Sequence, residues 1–483
     1  MRNSPLTLAL TVFAATACSP SSLVDVPSPS SVVPIGDVTT PAGAARLYAF
    51  AVTQFAISYG GGDGATVGVD SYVSASGLLS DELMRTGTRL VNPIVPTVQV
   101  TIDERTMNAT QPAGAAGLYD QLQRSRVEAR QAREALSSYA PALPKALQAQ
   151  LYANEGYSIV MLAEGFCDGI PLSIVPLNGD PNPSRGYSTD ELFVNAAALF
   201  DSAIAIGADS ARFVNFARIG KARALLGRGP QSFAAAASAV QAVPTDFIYN
   251  VEFSSAVPRG SNWIASNPWI YNAVGGEGIN GLNWIADPRT GVPSGKGVYG
   301  VGLPAKYSRD ASGALDPSVA WPDVPMPVAS GVEARLIEAE ADLYAGGTNW
   351  LAILNALRAA CVGAAACAPV PSILAGRLAP LADPGTAPDP NARIKLLMKE
   401  RAMWLFLTGH REGDLRRLAH WYPFAFSANT LWPVGEYVNA GSNGSIAPTS
   451  TNLTSYGADV LFLPDPAERQ TNPVYAGCAS VAP

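Results

Sequence analysis

Along most of the 483-residue chain, apolar and small residues recur at the spacing of an α-helix with one face turned to a core. The pattern predicts helices over about 41–57, 113–139, 144–168, 189–206, 210–226, 231–243, 332–344, 350–361 and 391–420, the last interrupted at Gly409. Apolar–polar alternation of the strand kind is brief and confined to places such as 97–102, so the chain reads as all-α. Several helix starts are marked. Ser188 stands ahead of Thr189, Asp190 and Glu191, a capping hydroxyl followed by acids where the helix dipole favours negative charge. The breaks at 140–144 and 207–209 contain Pro or Gly and are short, which makes successive helices antiparallel neighbours. IGKARALLGRG at 219–229 echoes IEAEADLYAGG at 337–347, each a small-residue helix face ending in glycine. Such an echo suggests repeated helix pairs, in which small residues let the helices pack closely.

The helical period lapses from about 249 to 321. Gly, Pro and Asn are frequent there, and the segment holds Phe253, Trp263, Trp269, Tyr271, Trp284, Tyr299, Tyr307 and Trp321. A loop of this length inside a folded protein is functional or disordered, and so many rings argue against disorder. Sugar rings present flat C–H faces that stack on Trp and Tyr, while their hydroxyls pair with Asn, Asp and Arg. Trp263, Trp269, Tyr271, Asn283 and Trp284 are therefore the expected ligand-binding residues, among Ser261, Asn262, Asn267, Asn272, Asn280, Asp287 and Arg289. The competing reading is that these tryptophans only anchor the loop to the helices. A second loop-rich insert is expected over 59–111, where Tyr59-Gly60-Gly61-Gly62-Asp63-Gly64 forms either a mobile rim of the same site or a plain turn.

Composition narrows the partners. A net charge of −7, with only 15% charged residues, offers no basic face for nucleic acid. Met1 and Arg2, the apolar stretch 6–17 and the small residues Ala15-Thr16-Ala17 before Cys18 form an export signal too short to span a bilayer as an anchor. Small residues before a cysteine resemble the bacterial lipobox, which makes Cys18 the expected lipidation site; Ala15 stands where that pattern usually has Leu, and an ordinary cleaved signal is the alternative. A Ser/Pro-rich run to about residue 34 reads as a flexible tether.

The other four cysteines allow three pairings in an exported protein. The spacing of Cys361 and Cys367 suits a local disulfide, which would leave Cys167 with Cys478. No C-x-x-C is present and the only histidines are His410 and His420, so metal binding is the weaker alternative for these cysteines; no metal site is assigned and no cofactor is expected. Neither a G-x-S-x-G elbow, an H-E-x-x-H helix nor a phosphate loop occurs.

One stretch is unusual for its charge. KERAMWLFLTGHREGDLRR at 399–417 has eight charged residues in nineteen. Gly409 can end a helix in the left-handed conformation. Glu412 and Arg416, and Asp414 and Arg417, are spaced to pair on one helical face. Glu400 and Arg401 beside Trp404 are expected to be partly buried and to need charged partners, and His410 is expected to be a solvated residue at the break. The stretch is read as a packing network.

Glu400-Arg401, Gly409, Arg411 and Asp414-Leu415-Arg416-Arg417 closely resemble the signature of the SusD/RagB-like family of outer-membrane nutrient-binding lipoproteins. ARLIEAEA at 334–341, LNALR at 354–358, AEGFCDGIPL at 163–172, Leu463-Pro464 to Glu468 and Asn472-Pro473 are similar to other segments of that family. Thr408 stands where the family often has an acid. The resemblance implies an all-α fold of four tetratricopeptide-like helix pairs packed against a loop-rich part. It further implies a lipid-anchored cell-surface protein that binds an oligosaccharide, or a peptide, without transforming it, and works with a SusC-like TonB-dependent outer-membrane transporter. The expected organisation is a signal peptide at 1–17, lipidated Cys18 and tether at 18–36, and one domain at 37–483. Within that domain the helical scaffold covers about 37–248 and 331–420, and the ligand-binding part about 249–330 and 421–483. A helical-repeat envelope scaffold without a small ligand, and a glycan-cleaving enzyme with a carboxylate pair, are the alternatives.

Overall fold

In the computed structural model the residues described are 38–62, 71–85, 98–110, 115–257, 259–266, 271–273, 282, 284, 287–290, 322–360, 378–425, 428–434 and 455–482. The larger helices are α1 (Pro41–Gly60), α2 (Tyr72–Leu79), α3 (Ala116–Tyr139), α4 (Lys145–Gly165), α5 (Thr189–Ile206) and α6 (Ala211–Gly227). They continue with α7 (Phe233–Val240), α8 (Gly331–Tyr344), α9 (Trp350–Ala360), α10 (Ala392–Trp404) and α11 (Arg411–Trp421). The fold is all-α, as the helical period predicts.

Local chemistry starts these helices where expected. Ser188 accepts from the Glu191 amide at 3.3 Å while Glu191 accepts from the Ser188 amide at 2.8 Å, a complete capping box on α5. Thr40 caps α1 with Pro41 in its first turn, and Ser330 caps α8 through the Glu333 amide. Two stretches depart from expectation. Residues 97–102 were expected to alternate as a strand, yet Val98–Asp103 is a short helix packed on α2. The insert expected to be loop-rich over 59–111 contains, among its described residues, α2, whose eight residues are all buried. A helix covered on every side has no polar face and so no amphipathic period.

Packing follows chain order. α1 lies on α3, α3 on α4, α4 on α5, α5 on α6, α6 on α7, α7 on α8 and α8 on α9, with α10 returning to α8. The glycines of the 219–229 echo set the spacing: a Cβ on Gly220 would fall 2.4 Å from Phe200, and one on Gly227 would fall 2.3 Å from Phe193. The ring of Tyr157 meets Phe200 edge-on and stacks on Phe216, which stacks in turn on Tyr249 with centroids 3.6 Å apart. At the other end, α1 and α3 meet through Ala44, Ala51, Ala129, Ala132 and Ala135, small enough for close approach.

Strands are few and short. Among the described residues they form three antiparallel pairs: β1 (Leu83–Arg85) with β5 (Tyr271–Ala273), β2 (Ile170–Pro171) with β3 (Gly186–Tyr187), and β4 (Ile248–Val251) with β6 (Met326–Ser330). The β4–β6 register places Ile248 opposite Ser330 and Val251 opposite Met326, which pinches the loop-rich segment at its base. A disulfide joins Cys167, just beyond α4, to Cys478, with Cα atoms 5.8 Å apart, and ties the last residues to the scaffold. The expected Cys361–Cys367 pair, like Cys18 and the tether, lies outside the described residues.

Candidate functional site

The base of the loop-rich segment sits against the C-terminal end of α1. The Tyr59 hydroxyl lies 2.6 and 2.9 Å from the carbonyl oxygens of Pro327 and Thr408. Gly62 donates to the Ser261 carbonyl at 3.0 Å, and a Cβ on Gly62 would come within 3.1 Å of the Trp263 ring. Trp263 is buried. Trp284 is more so, at 1% exposure; its indole N–H donates to the Asp81 carbonyl at 2.7 Å and its ring stacks on Phe406 at 5.0 Å. These contacts correct the expectation of an open platform at both residues. Trp263 and Trp284 pin the loop to the helices and leave no ring face for a ligand.

Their polar neighbours are likewise committed. Asn262 donates to the Val324 carbonyl at 2.8 Å and accepts from the Ala265 amide at 3.0 Å. Arg289 is buried and bound to Asp287 and Glu400. Tyr271 begins β5, opposite Arg85 of β1. Trp269 and Asn283 lie outside the described residues.

The charged stretch resolves into a network that gathers the segments carrying the family resemblance. Arg401 and Arg417 both bond Asp414, at 2.8 and 2.9 Å. Arg417 also reaches Glu340 of α8, whose carboxylate accepts from the Tyr422 hydroxyl at 2.8 Å. Glu400 takes Arg289 at 2.6 Å and Arg358 of α9 at 2.8 Å. Arg411 holds Asp81, and Arg223 of α6 holds Glu164 of α4 while donating to the Gly409 carbonyl at 2.5 Å. Burial alone would raise the Asp414 carboxyl, but Arg401 and Arg417 override it and hold the group well below the ordinary carboxylate range. Gly409 has φ +66°, the left-handed turn expected between α10 and α11.

Two details differ from expectation. Glu412 and Arg416 do not pair: Arg416 donates to the carbonyls of Ala163 and Phe166 at 2.7 and 2.9 Å, and Glu412 accepts from the Trp432 indole at 3.1 Å. The α4 terminus offers Arg416 free carbonyls, a demand that helical spacing cannot register. His410 is also buried, against the expectation of a solvated residue. Its Nε2 lies 2.9 Å from Glu333, and its Nδ1 lies 2.8 Å from the Thr408 hydroxyl. Thr408, His410 and Glu333 thus have the spacing of a hydroxyl–imidazole–carboxylate relay. All three are sealed in the core, so no substrate reaches them.

A separate cleft of about 520 Å³ opens where α4, α5, α6 and α11 meet the C-terminal residues; Asp168, Asp190, Arg228, Arg416 and Trp421 line it. Among the described residues there is no group of three or more His, Cys, Asp or Glu suited to a metal, and no helix long and apolar enough to cross a membrane.

The sequence matches no protein-family model and no curated protein. Solved structures do match. A laminarin-binding SusD-like protein superposes with a TM-score of 0.58 at 14% identity, covering 91% of this chain and 99% of the other. A SusD homolog from Bacteroides thetaiotaomicron gives 0.61 at 12% identity, over 93% and 99%. Surface glycan-binding protein A from Bacteroides fluxus gives 0.54 at 14% identity, over 79% and 89%. The helix order, the pinched loop segment and these superpositions lead to one conclusion: the chain has the SusD-like fold.

Proposed function

We propose that the protein is a nutrient-binding lipoprotein of the outer-membrane surface. It captures an oligosaccharide without transforming it, is held by a lipid on Cys18, and delivers its ligand to a SusC-like TonB-dependent transporter. The observation that carries this reading is the fold likeness, over 91% and 79% of the chain, to proteins described as laminarin-binding and surface glycan-binding. The aromatic segment from 249 to 321 supports it, with the proposed contacts now resting on Trp269, Tyr271 and Asn283, since Trp263 and Trp284 are buried. Stacking on such rings suits a ligand with flat C–H faces.

Isothermal titration against laminari-, malto- and cello-oligosaccharides and a tripeptide panel tests the ligand class. Saccharide binding that weakens in Trp269→Ala without product release is the expected result. Binding of peptides alone would move the reading to a peptide carrier, and binding of nothing, to a scaffold. Recovery of a large β-barrel partner from solubilised outer membranes tests the transport role.

A further inference from the structure

The cleft between α4, α5, α6 and α11 is remote in sequence from the aromatic segment and is built differently. Its volume of about 520 Å³ falls within the range of small-molecule sites, roughly 300–1,000 Å³. One wall is the half-buried indole of Trp421. That ring is fixed from two sides: a Cβ on Gly229 would fall 2.6 Å from it, and the His420 ring meets it edge-on at 4.3 Å. Its N–H meets no acceptor among the described residues.

Polar groups surround this wall. Arg416 is anchored by Nη1 to the carbonyls at the end of α4, and its Nε and Nη2 find no partner among the described residues. Asp168 spends one carboxylate oxygen on the Thr189 amide at 2.6 Å, and Asp190 pairs with Arg228 at 2.8 Å while remaining largely exposed. The lining carries three carboxylates, Glu164, Asp168 and Asp190, against three guanidinium groups, Arg228, Arg416 and Arg417. A balanced lining gives no preference for a polyanion or a polycation. What it offers is a flat apolar face with donors and acceptors of both kinds around it.

We infer that this cleft is a second binding site, for one or two units of a neutral, polyhydroxylated ligand of the saccharide class, with one ring stacked on Trp421 and hydroxyls held by Arg416 and Asp168. The Ser480 side of the cleft is placed by the Cys167–Cys478 disulfide and by the Asp168 amide, which donates to the Ser480 carbonyl at 3.0 Å. The site does not depend on the aromatic segment.

The test uses the exported chain labelled with 5-fluorotryptophan. Fluorine NMR then reads eight indoles, with Trp421 assigned from Trp421→Phe. Laminaribiose, maltose and cellobiose are the probes, beside the tripeptide panel. The expected result is a saturable shift of the Trp421 signal with at least one disaccharide, unchanged in Trp269→Ala and weakened about tenfold in Ser480→Phe, which crowds the mouth from an exposed position. A Trp421 signal that moves with no disaccharide, moves only with peptides, or moves equally in Ser480→Phe overturns the inference. If Ser480→Phe does not fold, titration calorimetry on Trp421→Phe and Trp421→Ala replaces it, with graded loss of one of two binding phases expected and two intact phases in both variants contrary to it. Failure here leaves the aromatic-segment reading standing whenever another indole responds, so the two can fail separately.

Discussion

Arg411 grips Asp81 through two parallel hydrogen bonds of 2.5 and 2.6 Å, in a place where both side chains are buried. The same Asp81 offers its carbonyl to the Trp284 indole. One residue thus joins the turn after α2 to the start of α11 and to the loop segment. Removing one partner of a buried pair leaves the other charge stranded. Asp81→Asn and Arg411→Ala are each expected to lower stability by about 3–5 kcal/mol. Arg411→Lys is expected to recover only part, because an ammonium cannot make the two-pronged contact. Urea denaturation decides it; a loss below about 1 kcal/mol in either variant contradicts the account.

Glu412 introduces a pH dependence. Burial raises its carboxyl from 4.5 to about 8, against the opposing pull of the Trp432 N–H and of Arg416 and Arg105. Between those two values the folded protein holds a proton that the unfolded chain releases. The contribution is therefore full below 4.5 and is lost as pH rises to about 8. Glu412→Gln is expected to flatten the fall in melting temperature between about pH 5 and pH 8.5 relative to wild type. Parallel curves for the two proteins would show that Glu412 is ionised throughout.

Trp284 and Trp269 should separate stability from binding. Trp284→Ala removes a buried ring that bonds Asp81 and stacks on Phe406, and is expected to destabilise by about 3–5 kcal/mol. Trp269→Ala is expected to weaken saccharide binding with little change in melting temperature. Calorimetric melting beside titration distinguishes them, and an unfolded Trp269→Ala would assign that ring to packing as well.

Gly220 tests the close approach of α5 and α6. Alanine is the better helix former, so Gly220→Ala would stabilise an exposed helix by up to about 1 kcal/mol. Here the added methyl meets Phe200 at 2.4 Å and Tyr157 at 2.8 Å, which predicts a net loss of about 1–3 kcal/mol. A stabilised variant would mean that the ring column yields easily.

How far the chain could be read from its residues depended on the range of the interaction. α5 is legible end to end because its period, cap and first-turn acids are all local. The Gly409 turn is legible for the same reason. α2 was hidden because a helix buried all round loses its period. The partners of Glu400, Arg401 and Arg411 come from residues 289, 358, 414 and 81, and nothing local announces such meetings. Aromatic content locates the loop segment but not the direction its rings face, so Trp263 and Trp284 read as contacts in the sequence and are anchors in the fold. The cleft at Trp421 has no local signature in the sequence, since four helices and the C-terminal residues compose it.

The pairing of Ile248 with Ser330 has an evolutionary corollary. The two ends of that stretch stand side by side on the helices, so a change of length between them need not separate the elements that carry those ends. Among the described residues, the tethers of that stretch, Trp284 on Asp81, Arg289 on Glu400, Ser261 on Gly62 and the pairing of β5 with β1, constrain what can be swapped in. A lineage could therefore alter that stretch while inheriting the helical frame.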